Sequence, residues 1–190
     1  MHRSALSAAD IAWYMRLHAQ GLRHEWITPN AVLYGWESDL LTVTPEGLVC
    51  EVEIKISRAD LKQDLLKPKH SQGLLLNGIS PVHGPTDPGT HRMVAPCRRP
   101  NYFCFAMPCH IYRSGARLPI PPYAGVYTVD EEGRVFEERR PIQLHTERIR
   151  TEDLLWLARR MHDRYWNELR RMKQPGTAAV LMGAKEDAHS

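Results

Sequence analysis

No run of apolar residues here approaches membrane-spanning length. The opening Met1-His2-Arg3-Ser4-Ala5-Leu6 lacks the apolar core of a secretory signal. Together these absences predict a cytoplasmic protein with no membrane partner, whose four cysteines stay reduced. No charge of one sign dominates: 25 Lys and Arg stand against 22 Asp and Glu, giving a net +3 and a pI of about 8.7. That balance is too mild to argue for nucleic-acid binding by itself. There is no Gly-rich phosphate loop, so no nucleotide cofactor is expected, and no Gly-x-Ser-x-Gly elbow or internal repeat. What remains is an ordinary globular composition, 43% hydrophobic and 25% charged over 190 residues, which suits one domain with a sizeable core.

The informative stretch is Glu51-Val52-Glu53-Ile54-Lys55-Ile56. Polar and apolar residues alternate strictly from Cys50 to Ser57, the period of a β-strand. Cys50, Val52, Ile54 and Ile56 fall on one face, and Glu51, Glu53, Lys55 and Ser57 on the other. Taken alone this has two readings: a half-exposed edge strand with a solvated polar face, or a row of carboxylates and an ammonium built for chemistry.

The flanks bear on the choice. Asp39 to Thr44, a Pro45-Glu46-Gly47 turn and Leu48 to Ser57 read as an antiparallel hairpin. Asp39 then lies at the open end, near Lys55. A carboxylate on one strand facing a carboxylate and a lysine on the next can hold a hard cation such as Mg²⁺. The lysine can then orient water or offset developing phosphate charge. Ser57-Arg58-Ala59-Asp60 starts a helix like a capping box. The helix runs from Arg58 to about Leu66 and ends before Pro68. Arg58, Lys62, Lys67 and Lys69 would form a phosphate track beside the cleft, against the plainer reading of a solvated basic face.

Asp39 followed by Glu53-x-Lys55 and a helix resembles the PD-(D/E)XK nuclease superfamily. The longer string, Trp36-Glu37-Ser38-Asp39-Leu40-Leu41, then Glu51 through Leu61, then Asp64 and Lys67, is similar to the MmcB-like DNA-repair proteins and small phage-encoded relatives. Asn101 to Pro108 and Tyr123 to Tyr127 match that group's following strands. Ser38 stands where the superfamily's name has proline. The resemblance covers roughly 36–70 and 101–130. It implies Asp39 and Glu53 as ligands of Mg²⁺ or Mn²⁺, the Ile54 main-chain carbonyl as a further ligand, and Lys55 as the catalytic lysine. Glu51 and Glu37 lie on or near the same face as candidates for supporting the site or for a second metal, and the sequence leaves that open.

Along the rest of the chain, Ser7 to Asp10 starts a helix whose apolar residues are Ala8, Ile11, Ala12, Met15, Ala19 and Leu22, with Gly21 at its C-terminal end. Arg23 to Trp26 reads as a loop, with Glu25 a candidate extra ligand. Nine of the thirty residues in 71–100 are Gly or Pro, marking an insertion that is either a lid over the cleft or disordered. Asn101 to Met107, Tyr123 to Val129 and Arg134 to Glu138 read as strands, with a proline-rich connection over 108–122. A helix over 151–173 is expected to close one domain spanning 1–173, with Leu154, Leu157, Ala158, Met161, Tyr165, Leu169 and Met172 as its apolar stripe. Residues 174–190 are expected to be a flexible tail.

Cys97, Cys104, Cys109 and His110 do not have the paired spacing of structural zinc sites. The ten histidines are scattered and read as solvated. From Glu147 to Lys173 eight basic residues mix with five acidic ones, a mixed surface and not a stripe.

The expected fold is α/β, a restriction-endonuclease-like core with a central mixed sheet flanked by helices. The expected activity is hydrolysis of DNA phosphodiesters by a Mg²⁺- or Mn²⁺-activated water, in repair, recombination or phage DNA metabolism. Two other classes stay open: a silent DNA-binding module of the same fold, and a phage-type interaction protein.

Overall fold

The computed structural model describes residues 5–70, 99–113 and 118–173. The expected insertion at 71–100, apart from its last two residues, and the expected tail at 174–190 lie outside these. The chain divides into two compact units, Met1–Arg150 and Thr151–Ser190, so the single domain expected over 1–173 is parted after Arg150.

The first unit is built on one six-stranded sheet in the order β1 (Glu25–Val32), β2 (Glu37–Val43), β3 (Val49–Ile54), β4 (Tyr102–Pro108), β5 (Gly125–Val129) and β6 (Val135–Arg139). The first three strands form an antiparallel meander, β3, β4 and β5 run parallel, and β6 returns antiparallel. Helix α1 (Ala8–Gly21) lies on one face, where Ile11 and Met15 join Leu40, Cys50, Val52, Ile54, Cys104 and Val129. On the other face, Leu61 of α2 (Arg58–Asp64) and Ile111 of α3 (Cys109–Arg113) pack with Phe103, Phe105, Met107 and Val126. The protein is thus α/β, with a central mixed sheet and helices on both sides. Among the described residues no helix is long and apolar enough to cross a membrane.

The alternation in β3 sorts its residues as read: Cys50, Val52 and Ile54 enter one core, and Glu51 and Glu53 point to the opposite face. The edge-strand reading, however, is overturned. β3 is flanked by β2 and β4, and all six of its residues are buried. Sheet closure over both faces, which one strand cannot reveal, makes the polar face an interior one. Asn101 fixes the start of β3: its Oδ1 accepts the Val49 N–H at 2.7 Å, while its Nδ2 donates to the carbonyls of His145 and Glu147.

Two local expectations need correction. Glu25 opens a strand, not a loop. β1 is an edge strand carrying Pro29, a register shift between Glu25 and Thr28, and left-handed backbone at Trp26 and Asn30, so it lacks regular alternation. The proline-rich connection contains α3. Gly21 ends α1 as expected, and the left-handed residue beyond it is Arg23 (φ 61°).

The second unit contains α4 (Thr151–Lys173), acidic in its first turn and basic in its last. That polarity suits the helix dipole. Of the stripe, Leu157 is buried, whereas Met161, Tyr165 and Met172 are exposed.

Candidate active site

The site grows from the open end of the β2–β3 hairpin. Leu41 pairs with Glu51 and Leu40 with Val52, so continuing the register sets Asp39 opposite Glu53, about 5 Å apart at Cβ. Asp39 is half-buried, and its Oδ2 accepts the Ile54 N–H at 2.7 Å. In an antiparallel pair a residue's N–H and C=O address the same neighbour, so the Ile54 carbonyl is directed to the Asp39 side. The next amide turns the other way, with the Lys55 N–H donating to Ala106. The structure therefore gathers Asp39, Glu53, Lys55 and the Ile54 backbone at one strand end.

Lys55 is buried. Its Nζ lies 3.0 Å from Glu53 Oε2 and 3.1 Å from Asp64 Oδ1. Burial alone would lower its pKa, but the charges of Glu53 and Asp64 outweigh that and raise it, so the ammonium is charged. Asp64, the last residue of α2, also meets Lys67 Nζ at 2.5 Å and His70 Nε2 at 2.8 Å. Burial pushes the Asp64 carboxyl up, yet these bonds hold it well below the usual carboxylate range. His70 Nδ1 meets the Tyr123 hydroxyl at 2.8 Å, and the ring lies against Phe103 and Phe105. Burial and the neighbouring Asp64 charge raise the Tyr123 pKa, so the hydroxyl keeps its proton.

Glu51 lies deeper on the same face. Trp36 Nε1 donates to its two oxygens at 2.8 and 3.0 Å. Burial raises its pKa to about 7, and Glu53 adds to the rise while Lys69 and Trp36 oppose it. Asp39 is also raised, first by burial and then by the Glu53 charge.

The expected phosphate track separates into two parts. Lys62 is exposed and Arg58 half-buried, four residues apart on one face of α2. The Lys67 side chain is 54% exposed although its ammonium reaches Asp64. Lys69 departs from the track. After α2 the chain turns inward, and the Lys69 ammonium sits 2.5 Å from Glu53 Oε1 and 3.5 Å from Glu51 Oε1, with its side chain 3% exposed. A lysine so placed does not meet a surface phosphate. Glu25 pairs with Val43 at the turn end of the hairpin, far from Asp39, and is not a ligand there. Glu37 is exposed at the start of β2. The sequence reading did not assign roles to Trp36, Asp64, His70 or Tyr123, which complete the buried network. Trp36, Asp64 and Tyr123 stood only within the family-like stretches, and nothing local marked His70.

Among the described residues no group of three or more His, Cys, Asp or Glu side chains forms a metal cage. What the site offers is two hard carboxylates, Asp39 and Glu53, whose mutual repulsion a cation would relieve. That donor set fits Mg²⁺ or Mn²⁺, which take one or two carboxylates and complete their shells with water and phosphate oxygens. Cys50, Cys104 and Cys109 are free thiols, the first two buried with their Sγ atoms 3.8 Å apart. Cys97 lies outside the described residues.

No family model matches the chain, and no curated protein matches it. Among solved structures it is similar to SPO1766, a protein of unknown function from Silicibacter pomeroyi. That likeness has a TM-score of 0.52 and 14% identity, and it covers 92% of this chain and 94% of the other. At that identity, it is a likeness of fold.

Proposed function

We propose that this protein is a divalent-metal-dependent nuclease that hydrolyses DNA phosphodiesters, with a restriction-endonuclease-like core. The observation that carries the reading is the convergence of Asp39, Glu53 and Lys55 at the end of two central strands, with Asp39 at the half-open mouth and Lys55 fully charged inside. When bound, Mg²⁺ or Mn²⁺ supplies Lewis acidity toward water and phosphate. The protein does the rest. Asp39 and Glu53 hold the cation, with the Ile54 carbonyl directed to the same side. Lys55, gripped by Glu53 and Asp64, presents an ammonium that orients the attacking water and offsets charge on the phosphate. Arg58 and Lys62 meet the DNA backbone. The order of elements also supports the reading, since a helix precedes the hairpin and a helix carrying Arg58 and Lys62 follows the Glu-x-Lys strand. The proposal includes a cytoplasmic setting, where the cysteines remain thiols.

The deciding experiment is a panel of labelled duplex, single-stranded, branched and damaged DNA incubated with the purified protein and Mg²⁺, Mn²⁺ or chelator. Metal-dependent cleavage of any form, lost in Asp39→Asn, is the expected result. DNA binding without cleavage in every form would favour a second reading, a silent binding module. That reading has its own observation: both Glu53 oxygens already face lysines.

The α2 surface gives a separate prediction. Lys62→Glu should weaken DNA binding regardless of sequence and lower the log–log salt slope by about one unit. Lys62 is the cleaner choice, because Lys67 also serves Asp64. A slope equal to wild type's would return α2 to being a solvated face.

A further inference from the structure

Glu53 is a carboxylate with an ammonium on each oxygen. Lys55 takes Oε2 at 3.0 Å and Lys69 takes Oε1 at 2.5 Å. The two lysines are not equivalent. Lys55 belongs to β3's own run and is held a second time by Asp64 at 3.1 Å. Lys69 lies just beyond the turn that follows α2, and its other carboxylate contact is the looser one to Glu51 at 3.5 Å. Its ammonium also lies 5.3 Å from the centre of the Phe103 ring. A cation shared by Asp39 and Glu53 needs a lone pair of Glu53, and it brings two positive charges to a carboxylate that already meets two ammonium groups. Like charges brought together in a dehydrated site repel strongly.

We infer that Lys69 is a resident counter-ion that competes with the divalent metal for Glu53, so that the site is charge-balanced without metal and loading requires the Lys69 ammonium to leave Glu53 Oε1. The inference rests on the metal-site reading above and deepens it, assigning to Lys69 control of metal affinity. Lys55 stays in place through its second carboxylate, and Lys69 moves. The site then loads at metal concentrations higher than its two carboxylates alone would need.

The test is Mn²⁺ binding to the full chain without DNA, at fixed ionic strength, read by calorimetry and by the electron paramagnetic resonance of free Mn²⁺. Lys69→Met keeps the length and removes the charge. It should bind Mn²⁺ at least about tenfold more tightly than wild type, and Mn²⁺ should raise its melting temperature further than it raises that of wild type. Lys69→Arg, which keeps the charge, should bind no more tightly than wild type. If wild type binds Mn²⁺ and Lys69→Met binds with equal or lower affinity, the competition is overturned while the metal site stands. If neither binds, the metal reading falls and takes the inference with it. Should Lys69→Met fail to fold without metal, the same tenfold comparison is made between Glu51→Gln and Glu51→Gln/Lys69→Met. Position 51 is then a neutral amide, so removing Lys69 leaves no unpaired carboxylate there.

Discussion

Lys55→Met should lower metal-dependent DNA cleavage by about a hundred- to a thousandfold, the usual cost of removing a positioned transition-state charge, while the protein still folds and binds Mn²⁺. Folding should survive because neither partner of Lys55 is left alone. Glu53 keeps Lys69, and Asp64 keeps Lys67 and His70. Breaking a buried pair costs about 3–5 kcal/mol when the surviving charge is uncompensated, so the cost here should fall below that range. Methionine also fills the space of the lysine stem, which an alanine would leave as a cavity. The measurement is single-turnover cleavage of the DNA form found active, alongside a thermal melt and Mn²⁺ titration of the same preparation. Cleavage at the wild-type rate would remove Lys55 from the chemistry. Loss of Mn²⁺ binding together with cleavage would assign it to holding the site and not to the reaction.

The parts of this site that were legible in the sequence are those that share one local period. Strict alternation from Cys50 to Ser57 put Glu51, Glu53 and Lys55 on one face, and a Pro-Glu-Gly turn placed Asp39 at the open end near Lys55, where the observed register sets it opposite Glu53. The capping of both helices was also local, with Ser7 and Ser57 each accepting an N–H three residues on. What alternation cannot show is what covers a face. The same pattern serves an exposed edge strand and a central strand whose polar residues satisfy one another, and only the placement of β4 beside β3 decides. The buried polar network was hidden for a related reason. Lys69 and His70 follow a proline and read as the end of a basic surface run. The turn after α2 instead carries them inward, to Glu53 and to Asp64 and Tyr123. Tyr123 is 53 residues from His70 along the chain, a separation across which no single-sequence pattern reports contact. β1 was missed because an edge strand with a proline and two left-handed residues obeys neither the helical nor the strand period.

The fully buried Glu51 yields the second large effect, on stability and not on catalysis. Burial raises its folded-state pKa to about 7 from the ordinary 4.5. A carboxyl raised on folding binds its proton more tightly in the native state, so the stability it favours is complete below the unfolded value and lost as pH rises through the folded one. Below about pH 4.5 the group is protonated in both states. Between about pH 4.5 and 7 the unfolded chain releases the proton while the native protein keeps it, and each pH unit removes up to about 1.36 kcal/mol. Above pH 7 both states are ionised and the loss levels off at about 3 kcal/mol. Glu51→Gln is neutral at every pH, keeps a carbonyl oxygen for the Trp36 indole N–H, and leaves Lys69 its nearer partner in Glu53. The variant should therefore gain on wild type as pH rises, by about 3 kcal/mol between pH 4.5 and 8, most of it above pH 5. Urea melts of both proteins across that range, in chelator and at constant ionic strength, give the difference directly, because the remaining groups titrate in both. Parallel stability profiles would mean that Glu51 ionises as readily in the native protein as in the unfolded chain. The charged Lys69 and the Trp36 indole would then suffice to hold a second carboxylate beside Glu53.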